Sequence, residues 1–315
     1  MKKINLGCEV RFDEPMSLHT TFRTGGPADL YAVPGTREEL AAVVRFAAGE
    51  GLPVFPLGGG ANILVSDRGI RGVVIDLSRF SAVSTRKAPD TDGPDSADRS
   101  GSATLFTAGA GLPVSDAAEI AAAMGLCGIE NFYSMPGSVG GAVYMNARCY
   151  DRSVSDTLVS TAVMDERGEV RTEPVREGEF AYKRSPFQGK RLIVLEAVFR
   201  LTPGDPAELK KIMEGYRADR EAKGHFAAPS AGSVFKNDRT FGAPTGVIID
   251  RLGLRGISFG GAKLSDRHAN IIVNAGEASS EEILRLIERL EREVFEATGF
   301  RLEREVILVG DWGHG

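Results

Sequence analysis

The stretch Pro229-Ser230-Ala231-Gly232-Ser233-Val234-Phe235-Lys236-Asn237 places a serine after a glycine and three residues before a cation. Ser233 in that setting can donate a proton or bind an anion, and the same composition also suits a polar turn. It is not a Gly-x-Ser-x-Gly elbow, so nucleophilic hydrolysis has weak support. Near the end of the chain, Leu302-Glu303-Arg304-Glu305-Val306-Ile307-Leu308-Val309 reads as a strand. Alternation puts Glu303 and Glu305 on one face, as edge charges or as a functional carboxylate. Tyr182-Lys183-Arg184-Ser185 sets two cations beside a phenol and a hydroxyl, a clamp for a carboxylate or phosphate or else a solvated loop.

Two glycine-rich stretches can hold phosphate. Leu57-Gly58-Gly59-Gly60-Ala61-Asn62 lets backbone N–H groups form an anion nest, or simply turns the chain tightly between strands. Pro136-Gly137-Ser138-Val139-Gly140-Gly141-Ala142 offers small residues and a hydroxyl with no bulky side chain before Tyr144. Arg23-Thr24-Gly25-Gly26-Pro27-Ala28 is a third such segment, and together they favour a large phosphate-bearing cofactor. None is a GxGxxG or a Gly-Lys-Ser/Thr P-loop. Among the four histidines, His268 sits among polar neighbours and reads as structural or substrate-orienting. No spacing suits a metal, and the three cysteines, odd in number and without CxxC, fit a reducing cytoplasm.

The elements that must carry these groups follow from periodicity and punctuation. Thr36 and Glu39 open a helix continuing through Leu40, Val43, Val44 and Ala47. Strands are expected at 53–57, 73–77, 104–108, 158–164, 169–172 and 192–201, with a turn at Asp165–Gly168. Helices are expected at 115–124, 207–223 and, with a Ser279/Glu282 capping box and a Gly299 stop, 281–298. The stretch 84–102 is almost without apolar residues and reads as a mobile surface insertion. With 315 residues the chain exceeds one core, and Pro203-Gly204-Asp205-Pro206 marks the best boundary. A net charge of -5 speaks against nucleic acid, and no signal segment or membrane span is expected.

In their order along residues 17–310, the segments Thr21–Ala28, Leu57–Val65, Pro136–Ala147, Pro229–Asn237, His268–Asn270 and Leu302–Val306 resemble the UDP-N-acetylenolpyruvoylglucosamine reductase family (MurB), in its shorter second type. The resemblance implies an α+β chain with a two-lobed vanillyl-alcohol-oxidase/PCMH-type FAD-binding domain, its lobes at 1–80 and 81–203. A C-terminal α/β substrate-binding lobe at 204–315 is implied too. It further implies an NADPH-dependent, FAD-mediated reduction of UDP-N-acetylglucosamine enolpyruvate to UDP-N-acetylmuramate, in the cytoplasm, by a monomer with small-molecule partners only. Ser233 then matches the family's proton donor and Glu305 its carboxyl-side glutamate. Lys223, Asn237 and Tyr182 fall where substrate is held, and Gly58–Asn62 with Pro136, Gly137, Ser138, Gly140, Gly141 and Ala142 where FAD is held. The sequence departs from the family where a Tyr-Arg-x-Ser loop is usual: Lys183 or Arg184 must take the arginine's part, and the two cations are not equivalent. Ser233 also needs a cation nearby, Lys236 or a similar one. Gly224–Ala228 lacks the usual Gln-Pro-Leu.

Overall fold

The structure is a computed structural model that describes residues 6–89 and 103–313. The first lobe contains β1 (Glu9–Pro15), β2 (Pro27–Val33), α1 (Arg37–Gly49), β3 (Val54–Leu57), β4 (Ile63–Val65) and β5 (Ile70–Asp76). Its sheet runs β1-β2-β5-β3, with β2 and β3 both parallel to β5. At the start of α1 the Thr36 hydroxyl accepts the Glu39 N–H at 3.2 Å. The Glu39 carboxylate reaches past Thr36 to the Gly35 N–H at 2.6 Å, so the expected reciprocal box is displaced by one residue. The apolar stripe Leu40, Val43, Val44 and Ala47 is buried against Val73 and Ile75 and against Met164, Ile193 and Leu195 of the next lobe.

The second lobe holds β6 (Val83–Lys87), β7 (Thr104–Gly109), α2 (Val114–Ala123), β8 (Leu126–Cys127), α3 (Val139–Tyr144), β9 (Arg148–Cys149), β10 (Arg152–Ser153), β11 (Leu158–Asp165), β12 (Val170–Pro174) and β13 (Leu192–Pro203). Its antiparallel sheet runs β12-β11-β13-β7-β6. The polar insertion expected over 84–102 is therefore partly wrong. Residues 83–87 form an edge strand paired with β7, and their polar side chains reflect that exposed edge, not an absence of structure. Residues 90–102 lie outside the described residues.

Asp205 caps α4 (Pro206–Ala222) by accepting the Ala207 N–H at 2.8 Å. Leu209 and Met213 of α4 pack on Ala122 of α2. The third sheet, β14-β17-β16-β15, is built from β14 (Ser230–Ser233), β15 (Ser258–Phe259), β16 (Ala262–Leu264) and β17 (Ile271–Asn274), with α5 (Thr245–Arg251) beside it. Across it lies α6 (Ser280–Thr298), whose Ile283, Ile287, Leu290 and Val294 are fully buried. Both halves of the Ser279/Glu282 box are made, and Gly299 ends the helix with φ 77°.

The strand expected over 302–309 is shorter than its alternation suggests. Only β18 (Ile307–Val309) is a strand, and it pairs in parallel with β4 of the first lobe. Residues 302–306 are irregular, with one isolated bridge between Arg304 and Phe235 and a few main-chain bonds to Val234 and Lys236. A segment that passes from one sheet to another cannot make a full ladder with either. Asp67 makes a second link between these lobes, accepting the Ser280 and Glu281 N–H groups of α6 at 2.9 Å each. A carboxylate on two otherwise unpaired N-terminal donors favours the helix by its dipole as well. Asp67→Ala should lower the unfolding free energy by about 1–2 kcal/mol. An unchanged urea midpoint would show that the cap contributes nothing.

Candidate active site

Between the three sheets lies a cavity of about 1920 Å³. Ordinary small-molecule pockets hold roughly 300–1,000 Å³, so this one has room for more than one large ligand. Every residue from Gly58 to Asn62 lines it, as do Pro136, Gly137, Ser138, Gly140, Gly141 and Ala142. The two stretches press on each other. A β-carbon at Gly58 would lie 2.3 Å from Ser138 Oγ, and one at Gly59 would lie 2.7 Å from Gly137 Cα. That close approach is why glycine is needed there. Ser138 caps α3, its hydroxyl accepting the Gly141 N–H at 3.3 Å. The N–H groups of Gly59, Gly60, Ala61, Asn62, Gly137 and Ser138 make no hydrogen bond among the described residues. Unspent backbone donors on two facing loops suit a diphosphate, so these residues fit FAD. The third glycine segment does not join them. Gly25 abuts Val65, and Gly26 abuts the Asp67 carbonyl, so both serve packing; from that region Thr21 and Arg23 reach the cavity.

Ser233, Lys183 and Glu305 line the same cavity and also an adjoining one of about 830 Å³. Ser233 is set by a bulge. Ser230 pairs with Val273 and Ser233 with Ile271, so one extra residue is inserted, and Gly232 absorbs it at φ 71°. Buried Asn270 then clamps the strand that follows. Its Oδ1 accepts the Phe235 N–H at 3.0 Å, and its Nδ2 donates to the Phe235 carbonyl at 2.8 Å. The Ser233 side chain makes no hydrogen bond among the described residues. Glu305 is joined to the same strand, its N–H donating to the Val234 carbonyl at 2.7 Å. Its own carbonyl accepts from Asn62 Nδ2 at 3.0 Å, directly beside the glycine turn.

A turn sends the two neighbouring cations to different places. Ala181 and Arg184 exchange backbone hydrogen bonds, leaving Tyr182 and Lys183 at the tip, with Lys183 at φ 57°. Asn146 Nδ2 holds the Ala181 carbonyl at 2.9 Å, and Gln188 Nε2 holds that of Lys183 at 3.2 Å. In this conformation Lys183 Nζ meets Glu305 Oε1 at 2.5 Å, both side chains being only 12% and 13% exposed. Arg184 is exposed, lines only the smaller cavity, and its guanidinium has no polar partner among the described residues. Tyr182 also stands at the smaller cavity, its hydroxyl accepting the Asn237 N–H at 3.4 Å. The Asn237 side chain is occupied by the Thr245 N–H at 2.9 Å.

Lys236, expected near Ser233, lines the smaller cavity with it. Its ammonium is paired with Glu303 at 2.7 Å. The alternation across 303–305 nonetheless holds, because Arg304 turns the other way to a two-point pair with Glu291. Lys223 lines the large cavity and pairs with Asp219 at 2.7 Å. Beside it His225 and His268 stand 5.6 Å apart by ring centroids. Burial, then the Arg220 charge, hold His225 down to about 4, and burial, then Lys223, lower His268. Both rings are therefore neutral near pH 7. His268 Nδ1 accepts the Asn270 N–H at 3.2 Å, which combines the structural and orienting roles. Asn146, Gln188, Asn270 and His225 were not singled out as site residues from the sequence; only the proximity of Asn270 to His268 hinted at one of them. Among the described residues no His, Cys, Asp or Glu group could hold a metal, and no helix is long and apolar enough to cross a membrane.

Residues 28–173 match the model of the FAD binding domain, and residues 224–309 that of the UDP-N-acetylenolpyruvoylglucosamine reductase C-terminal domain. The chain is 38% identical to the UDP-N-acetylenolpyruvoylglucosamine reductase of Treponema pallidum, over 96% of this chain and 94% of that protein. It is also 38% identical to that of Caldanaerobacter subterraneus, over 99% and 97%. The crystal structure of the reductase from Thermus caldophilus superposes with a TM-score of 0.75 at 30% identity, over 96% of this chain and 98% of that one. Fold and site define a flavin-dependent oxidoreductase built on an FAD-binding domain. Within that class, the chain belongs to the UDP-N-acetylenolpyruvoylglucosamine reductase family.

Gly59→Ala should force the two glycine stretches apart and weaken FAD binding by about tenfold or more, or roughly 1.4 kcal/mol. Flavin absorbance per protein after gel filtration measures this; full retention of flavin would contradict the close approach as the basis of binding.

Proposed function

We propose that this chain reduces UDP-N-acetylglucosamine enolpyruvate to UDP-N-acetylmuramate with electrons from NADPH, a step toward peptidoglycan precursors. The observation that carries the reading is the meeting of Lys183 and Glu305 in the cavity that Ser233 and the glycine stretches also line. FAD, bound there and reduced by NADPH, supplies the hydride for the β-carbon of the enol ether. The chain's own task is to stabilise the charge that this addition drives toward the substrate carboxylate. Lys183 serves it as a point charge in a site shielded from water, where a preoriented cation is most effective. Glu305 holds that ammonium in place and keeps the empty wall near neutrality.

Ser233 holds the proton for the α-carbon. Its hydroxyl has no competing acceptor among the described residues, and the bulge at Gly232 fixes its direction. A serine is a weak acid, so its transfer depends on a cation at this wall; we read Lys183, which lines both cavities with Ser233, as that cation. Tyr182 and Asn237 at the smaller cavity, and Lys223 at the larger one, are read as substrate contacts. The neutral His225 and His268 add no charge beside Lys223.

Ser233→Ala should leave flavin reduction by NADPH intact and slow reoxidation by the enolpyruvyl substrate by about 10²–10⁴-fold. Equal losses in both half-reactions, measured by stopped-flow absorbance, would remove Ser233 from the proton-donor role. Lys183→Ala should cost about tenfold or more in the second half-reaction, and Arg184→Ala only a few-fold. The reverse order would assign the carboxylate to Arg184.

A further inference from the structure

Beside the wall used above, Cys149 lines both cavities at the end of the short strand β9. Its sulfur stands 3.3 Å from Arg220 Nη2. Arg220 is only 8% exposed, and it also lines the large cavity. No carboxylate pairs with it among the described residues, and its Nε, fully enclosed, has no hydrogen-bond partner. A buried guanidinium without an anion is a costly arrangement, and it favours an added anionic oxygen on the sulfur that its Nη2 contacts. The surroundings keep the contact in place. Tyr150 donates its hydroxyl to Asp219 at 2.8 Å and stacks on Tyr216 at 4.1 Å, pinning the β9 hairpin to α4, the helix that carries Arg220.

The other two thiols have the opposite environment. Burial and the Glu39 charge push Cys8 up. Burial and Glu130 push Cys127 up, and the Cys127 sulfur faces a Glu130 oxygen at 3.6 Å. Reactive cysteines sit in electropositive, partly open places, and of the three cysteines only Cys149 touches a cation without a carboxylate.

We propose that Cys149 is a modification site, oxidised by hydroperoxides to a sulfenate whose oxygen Arg220 holds. In the step, the thiol gives its proton to water and the sulfur attacks one peroxide oxygen. An S–O bond forms and the O–O bond breaks. The sulfur loses two electrons, the peroxide gains them, and the leaving alkoxide or hydroxide takes up a proton as alcohol or water. A thiol reductant reverses this by displacing the oxygen as water in a mixed disulfide, which a second thiol then resolves. The added charge and oxygen at the wall shared by both cavities lower turnover while they persist.

The test treats the flavin-loaded protein with hydrogen peroxide, traps sulfenate with dimedone and maps adducts by peptide mass spectrometry. Cys149 should carry at least about tenfold more adduct than Cys8 or Cys127. Treated protein should lose most of its turnover and regain it with dithiothreitol. Cys149→Ala should keep its own untreated rate through the same exposure, and Arg220→Lys should slow the labelling of Cys149. Equal labelling of the three thiols, an unlabelled Cys149, or the same peroxide loss in Cys149→Ala would overturn the proposal. The turnover readout rests on the function proposed above and the adduct does not. An adduct on Cys149 in protein that never reduces the enolpyruvyl substrate supports the modification site and sinks the functional reading instead.

Discussion

Glu305 is held at once by all three lobes. Its N–H bonds the Val234 carbonyl at 2.7 Å, its carbonyl takes Asn62 Nδ2 at 3.0 Å, and its carboxylate takes Lys183. Two residues on, the Ile307 N–H returns to the Asn62 carbonyl at 3.0 Å. The glycine turn, the serine strand and the lysine turn are thereby placed relative to one residue. The lobes share their apolar contacts as well: Phe22 and Leu64 of the first lobe pack in the core of the third, and α1 is covered by Leu195 of the second. A cavity of this size between lobes stays defined because its edges are joined by main-chain bonds in addition to long side chains.

The Lys183–Glu305 pair is not there chiefly for stability. Taking two charges out of water costs several kcal/mol per ion, and their mutual attraction only roughly offsets it. The pair is also reached through a left-handed lysine backbone, a conformation that disfavours side chains. Asn146 and Gln188 offset that strain through the carbonyls on either side of the turn tip. The result is a charge pair held at a cost on the cavity wall.

What was legible in the sequence was whatever is encoded locally. The helix at 280–298 follows from its capping box, its apolar stripe and its terminal glycine, and all three are realised. The glycine stretches at 58–62 and 136–142 declare close backbone approach, though not that they approach each other. That Lys183, and not Arg184, meets Glu305 was not legible, because it depends on a turn conformation set by Asn146 and Gln188 from outside the motif. Nor was the Lys236–Glu303 pair, which joins two segments 67 residues apart in the sequence. The strand at 83–87 was hidden because an edge strand carries the same polar residues as a loop.

The pairing of β18 with β4 has a temporal consequence. Residues 63–65, next to the glycine turn, find their partner only in residues 307–309, almost the whole chain later. During synthesis the first two lobes can collapse on their own cores while the serine strand and Glu305 are still within or behind the ribosome. The cavity is therefore among the last features to be completed, and an interrupted chain has the glycine stretches and the lysine turn but neither Ser233 nor Glu305. Flavin meeting such a nascent chain finds an unfinished compartment, and the capacity for chemistry arrives only with the closing strand.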